Sequence, residues 1–223
     1  MKNPLISCIM ATRDRADFVP RAIRCFQEQT YPNLELVIVD HGTVPVNEIV
    51  KSFGDDRIRY EHIPDPEMLT GDVKNRTVAN ATGEFIAVWD DDDWHHPARL
   101  MVQFERMRRF QADACFLKRL IVAWPERNLY AYSPRWLWEG SLVSRKAGIQ
   151  PYGSRRSGGD TVQKHATFTA DQRVVELDMP DLYIYRIHGR NVWDDSHFEE
   201  YFYPGYPELP EAVLLHTKKV YSE

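Results

Sequence analysis

Four aspartates in succession, Asp90 to Asp93, follow an apolar run that ends at Trp89. Neighbouring carboxylates repel one another, and desolvating them is costly. A hard divalent cation relieves the repulsion, and Mg²⁺ or Mn²⁺ usually takes one or two carboxylates and leaves positions for phosphate oxygens. The plain alternative is a solvated acidic turn that favours the start of the next helix. Two further polar groups also follow apolar runs. Thr12, Arg13 and Asp14 come after Leu5–Ala11, and Asp40 comes after Leu34–Val39.

The elements that must carry these groups are legible as patterns. Leu5–Ala11, Leu34–Val39 and Phe85–Trp89 are short, largely apolar runs, as expected of strands buried on both faces. Arg57–His62 alternates like a strand. Between them, Asp17–Gln29 has Phe18, Ala22, Cys25 and Phe26 at helical spacing, with Asp17 as the expected N-cap. Val46–Phe53 and Asp72–Ala81 are the next helices, and Pro97 opens another that runs to Phe110. Strands alternating with helices imply a mostly parallel sheet in an α/β fold. In such a sheet ligands bind beyond the carboxyl ends of the strands, so the three polar groups should line one edge.

After Ala112 the rhythm changes. Cys115–Val122, Leu129–Tyr132, Ser141–Ser144, Arg173–Leu177 and Leu182–Ile187 are strand-like runs, with a helix expected over Thr161–Thr169. This divides the chain into residues 1–112, residues 113–200 of the same domain, and a tail, 201–223, that packs on the body or a partner.

Composition sets bounds. A chain of 223 residues suits one large domain, and a net charge of −5 argues against gripping nucleic-acid phosphates. Cys8, Cys25 and Cys115 are too few for a disulfide framework and are expected as reduced core thiols of a cytoplasmic protein. The longest apolar runs, such as Phe85–Trp89, are five residues, whereas a membrane helix needs about 20. No transmembrane segment is expected. Peripheral contact with the inner face of a membrane, and oligomerisation, stay open.

Four blocks in order carry a resemblance: LISCIMATRDRADFVPRAIRCFQEQTYPNLELVIVD from Leu5, KNRTVANATGEFIAVWDDDD from Lys74, SGGD ending at Asp160, and LYIYRIHGRNVW from Leu182. Together they resemble family 2 glycosyltransferases of the GT-A fold. The resemblance implies inverting transfer of a sugar from a nucleotide diphosphate donor, UDP-linked by expectation, with Mn²⁺ or Mg²⁺. The acceptor hydroxyl would belong to a saccharide, a glycan or a lipid-linked sugar. It also implies roles, with 1–112 as the nucleotide-sugar-binding half and 113–200 as the acceptor-binding and catalytic-base half of one GT-A domain. Thr12, Arg13 and Asp14 meet the nucleobase and ribose, and Asp40 the base. Lys74 and Asn75 contact the donor. Asp90, Asp91 and Asp92 form the DxD motif, the first on the ribose and the third on the metal. Asp160 is the general base, and His188 adds a metal or diphosphate contact. Lys74, Arg76 or Arg190 could add positive charge near the leaving diphosphate.

The chain departs from the family pattern at His41, where an Asp is usual, at Gly159, where a Glu is usual, and at Lys74, where Arg is usual. Each chemical reading has a plain counterpart. Asp40 can end a strand and open a turn, Asp160 can cap a helix, and Trp136 and Trp138 can pack in a core as well as stack on sugars. Two other functions compete: a sugar-phosphate nucleotidyltransferase, and a non-catalytic nucleotide-sugar-binding domain. The first usually has a glycine-rich loop after its first strand, where this chain has ATRDRAD.

Overall fold

The computed structural model describes residues 3–65, 67–154, 172–202 and 207–222. Among the described residues seven strands form the main sheet: β1 (Ile6–Thr12), β2 (Leu34–Asp40), β3 (Ile58–His62), β4 (Phe85–Val88), β6 (Ala114–Leu117), β9 (Val143–Arg145) and β10 (Val174–Leu177). Their spatial order is β10-β6-β9-β4-β1-β2-β3. All pairs are parallel except those of β9, which runs against both β4 and β6. In register, Thr12 lies beside Asp40, and β4 ends on the same edge just before the aspartates. The expected α/β sheet is therefore present, with the three polar groups on one rim.

Helices cover both faces because β1 and β2 are apolar on both. Ile6, Cys8, Met10, Leu36 and Ile38 pack in one cluster with residues of α1 (Val19–Gln27), α2 (Asn47–Ser52) and α4 (Arg99–Phe110). Ile9, Val37 and Ile86 pack on the other face against Val78 of α3 (Thr70–Asn80) and Ala81. There a polar clasp joins β1 to β2. Ser7 Oγ donates to Glu35 Oε1 at 2.6 Å, and the Thr82 amide donates to the same oxygen at 2.6 Å. Gly83 fits because a Cβ there would lie 2.6 Å from Ser7 Oγ and 2.7 Å from the Leu5 carbonyl oxygen.

The second sheet is small, in the order β5-β11-β7-β8: β5 (Trp94–His95), β7 (Ile121–Trp124), β8 (Leu129–Tyr132) and β11 (Tyr183–Arg186). Here two expectations change. The apolar run Cys115–Val122 is not one strand: Lys118–Leu120 leave the main sheet, and the chain re-enters the other sheet as β7. Asp17 does not cap α1, which starts at Val19 with no side-chain cap; its carboxylate instead pairs with Arg190. The expected helix over Thr161–Thr169 lies outside the described residues.

Two helices close the chain, α5 (Asp195–Phe202) and α6 (Glu211–Ser222). Val213, Leu214, Val220 and Tyr221 of α6 pack against Ile121, Ala123 and Ile184 of the small sheet. The Tyr221 ring also meets the guanidinium groups of Arg21 at 4.8 Å and Arg186 at 5.1 Å. α6 thus packs on the body. All three cysteines are free and buried; burial raises Cys8 and Cys115 to about 12 and Cys25 to about 11.

Candidate active site

Each of the four aspartates is assigned to a different wall. Asp91 turns toward β1, where Thr12 Oγ1 donates to its Oδ2 at 2.6 Å and Arg15 Nη1 to its Oδ1 at 2.8 Å. Asp92 Oδ2 accepts the same Arg15 nitrogen at 2.9 Å and lies 3.0 Å from His188 Nε2. Asp93 is fully buried, and holds β11 by accepting from Tyr183 Oη at 2.5 Å and the Arg186 amide at 2.9 Å. Asp90 is the most open, with a third of its side chain exposed, and its Oδ1 lies 3.7 Å from Lys74 Nζ of α3.

These surroundings split the carboxyl groups electrostatically. Burial raises Asp91 above the usual carboxylate range, partly offset by Arg15. Burial acts the same way on Asp92, but the His188 bond and the Arg15 charge outweigh it, and Asp92 lies below that range. Burial and the charges of Asp92 and Asp90 push Asp93 well above it. Of these three, Asp92 is therefore the carboxylate held most firmly in its ionised form, which suits a cation ligand.

Arg99 underlies the turn. It is fully buried and donates to Gln103 Oε1 at 3.0 Å, His95 Nδ1 at 2.8 Å and the carbonyls of Val88 and Gly140 at 3.2 and 3.3 Å. All four acceptors are neutral, so its charge balances the carboxylates above it at longer range. Burial and the Arg99 charge hold His95 well below the ordinary histidine value. Gly140 belongs to this floor: a Cβ there would meet Asp90 Oδ2 at 2.8 Å and Tyr183 Oη at 2.9 Å.

The remaining expected residues divide into two groups. Lys74 and His188 converge on the aspartates. Arg13 is exposed beside them in sequence, and Asp14, at φ 50°, accepts from the Thr43 amide at 2.8 Å and so ties the β1 and β2 rim loops together. Asp40 is fully buried, and its oxygens accept from the amides of Gly42 and Val46 and from Tyr60 Oη at 2.8–3.0 Å, which realises the turn-bracing role. Asn75 bonds both ways to the Tyr152 backbone, at 2.9 and 2.7 Å. Asp160 lies outside the described residues. Arg76 faces away and forks onto Glu61, and Arg190 pairs with Asp17.

Arg15 was not anticipated. Its position inside a charged loop has no periodicity to mark it; the only sequence signal is a second Arg one turn before the apolar face of α1. Phe18 is a second addition: its ring lies 4.5 Å from that of His188 and under the guanidinium groups of Arg186 and Arg190.

A divalent ion fits this donor set in part. Asp92 Oδ2 and His188 Nε2 are 3.0 Å apart, the spacing of neighbouring ligands each about 2.1 Å from an octahedral ion. Among the described residues no group of three or more acidic, His or Cys side chains could hold a metal. Two protein ligands would leave the other positions to phosphate oxygens or water. The Arg190 amide donates to His188 Nδ1 at 3.2 Å, so Nε2 carries the proton here and ligation would release it.

The sequence and the sheet have known counterparts. The family model "Glycosyl transferase family 2" matches residues 7–169. The chain belongs to glycosyl transferase family 2. Among curated family members, the Escherichia coli (strain K12) protein named "Putative colanic acid biosynthesis glycosyl transferase WcaA" is 38% identical over 153 residues, 67% of this chain and 49% of its own length. The Campylobacter jejuni GalNAc(5)-diNAcBac-PP-undecaprenol beta-1,3-glucosyltransferase is 30% identical over 93 residues, 40% of this chain and 30% of its own. The chain thus spans about half or less of the length of these relatives. Among solved structures, Staphylococcus aureus TarS with UDP-GlcNAc superposes with a TM-score of 0.71 at 16% identity, over 82% of this chain and 58% of that one. Mannosyltransferase PcManGT from Pyrobaculum calidifontis, with GDP-Man and Mn²⁺, gives 0.66 at 15%, over 99% and 70%. The GT-A architecture is shared with them. Among the described residues no helix is long and apolar enough to cross a membrane.

Proposed function

We propose that the chain transfers a sugar, with inversion, from a nucleotide diphosphate donor to an acceptor hydroxyl. The observation that carries this reading is the convergence of Asp90, Asp92, Lys74 and His188 on the carboxyl rim of a family 2 sheet. A UDP-linked donor is the first to test, since TarS is seen with UDP-GlcNAc; PcManGT, seen with GDP-Man, makes a GDP-linked one the second. The acceptor is a saccharide or a lipid-linked sugar, the latter in line with the undecaprenol named for the Campylobacter relative.

Asp92 and His188 would hold Mn²⁺ or Mg²⁺, which when bound supplies Lewis-acid stabilisation of the leaving diphosphate. Asp90, the open carboxylate, would bind the ribose. Lys74, 3.7 Å from it, sits where its ammonium can meet a diphosphate oxygen and offset developing negative charge. Asp160 would take the proton from the acceptor hydroxyl as that oxygen attacks the anomeric carbon and the nucleoside diphosphate departs.

The test is nucleoside diphosphate release from UDP-, GDP- and dTDP-sugars with Mn²⁺, in wild type and Asp160→Asn. A lost general base is expected to lower turnover about 10²–10⁴-fold while donor affinity holds. Unchanged turnover would remove Asp160 from the mechanism. Pyrophosphate release from sugar phosphate and nucleoside triphosphate would replace the reading by nucleotidyl transfer.

A further inference from the structure

We propose that Arg15 is the resident counter-ion of the acidic turn: it keeps the unloaded site a poor binder of divalent ions, so that ion and nucleoside diphosphate enter together. This rests on the metal-dependent reading above and adds to it a residue and a binding order. One guanidinium nitrogen, Nη1, bridges Asp91 Oδ1 at 2.8 Å and Asp92 Oδ2 at 2.9 Å. The oxygen of Asp92 that it occupies is the one facing His188 Nε2. The carboxylates are 2% and 10% exposed and the arginine side chain 21%, so solvent screens these charges weakly.

The other arm of the fork fixes the guanidinium in place. Nη2 donates to the carbonyl of Arg190 at 2.5 Å, in the loop that carries His188. The face of Phe18 lies 5.9 Å away. A divalent ion on Asp92 Oδ2 must either share that oxygen with a fixed positive charge or displace it. In both cases the free site resists the ion. A diphosphate brings negative charge that faces ion and guanidinium together, which removes the repulsion. Ion and diphosphate must then raise one another's affinity by the same factor.

The test is calorimetric titration of MnCl₂ into the full chain, free and saturated with UDP (GDP where UDP gives no heat), in wild type, Arg15→Gln and Arg15→Lys. In wild type UDP should tighten Mn²⁺ binding at least about tenfold, and Mn²⁺ should tighten UDP equally. Arg15→Gln should bind Mn²⁺ at least about tenfold more tightly without nucleotide, which narrows the coupling, while Arg15→Lys, which keeps the charge, should stay near wild type. Arg15→Gln binding no tighter than wild type overturns the assignment. Free wild type binding Mn²⁺ as tightly as the UDP complex also overturns it, and this comparison decides the matter if Arg15→Gln does not melt cooperatively. No Mn²⁺ binding even with nucleotide would instead overturn the metal-dependent reading beneath it.

Discussion

Replacing Thr12 by Val separates a residue that braces the acidic turn from one that meets the donor. Thr12 Oγ1 donates to Asp91 Oδ2 at 2.6 Å, and the Asp91 side chain is only 2% exposed. Val keeps the β-branched shape that suits the end of β1 and removes only the donor. A hydrogen bond to a charged group contributes about 1.5–3 kcal/mol, and water cannot replace it at this depth. Asp91 has one escape. Its carboxyl is already raised by burial, so taking up a proton would relieve part of the loss. A cost of about 2 kcal/mol lowers the melting temperature of a chain this long by about 4–8 °C. Differential scanning calorimetry at neutral pH reads it, and Thr12→Ser, which keeps the hydroxyl, should recover most of the loss. A Thr12→Val protein that melts within about 1 °C of wild type but binds nucleotide much more weakly would refute the bracing role.

Other perturbations have equally direct outcomes. Gly140→Ala places a methyl 2.8 Å from Asp90 Oδ2; it should cost about 1–3 kcal/mol and shrink the thermal shift produced by a nucleoside diphosphate. Asn75→Ala leaves the Tyr152 amide and carbonyl without their side-chain partner, a loss of about 1–3 kcal/mol read by urea melts, with faster proteolysis near Tyr152. Asp55 is lowered from 3.8 to about 2, chiefly by its Arg57 bond. Its stabilisation is complete above the unfolded value and is lost as pH falls through the folded one. The melting-temperature gap between wild type and Asp55→Asn should therefore be full at pH 7 and close between about pH 4 and pH 2.

Much of the main sheet was legible because buried parallel strands leave nearly continuous apolar runs, as in Leu34–Val39 with its single Glu35, and because strand ends in such a sheet share a rim. That reasoning brought Asp40 and the aspartates to one edge. It left Asp40 between a ligand contact and a turn-opening role, and only the structure shows its oxygens taken up by the amides of Gly42 and Val46. Four identical aspartates also conceal four different environments. Only tertiary contacts distinguish Asp93, which bonds to β11, from Asp90, which is open to solvent. The split of Cys115–Val122 between two sheets was hidden for a related reason: both pieces are equally apolar, and only their strand partners, β10 and β9 for one and β11 and β8 for the other, distinguish them. Arg15 was missed because a single charge in a charged loop is ordinary until its partners are known.

The short strand β5 begins immediately after Asp93, and β11 ends two residues before His188. The two pair antiparallel, Trp94 opposite Ile184 and His95 opposite Tyr183. Asp92 and His188 therefore hang from the same two-strand clasp, one on each arm. Any rocking of the small sheet against the large one would carry both groups as a single jaw and leave their spacing unchanged. What such a motion would alter is the distance from that jaw to Lys74 on α3, so the grip on a ligand could tighten or relax without dismantling the pair that holds the ion.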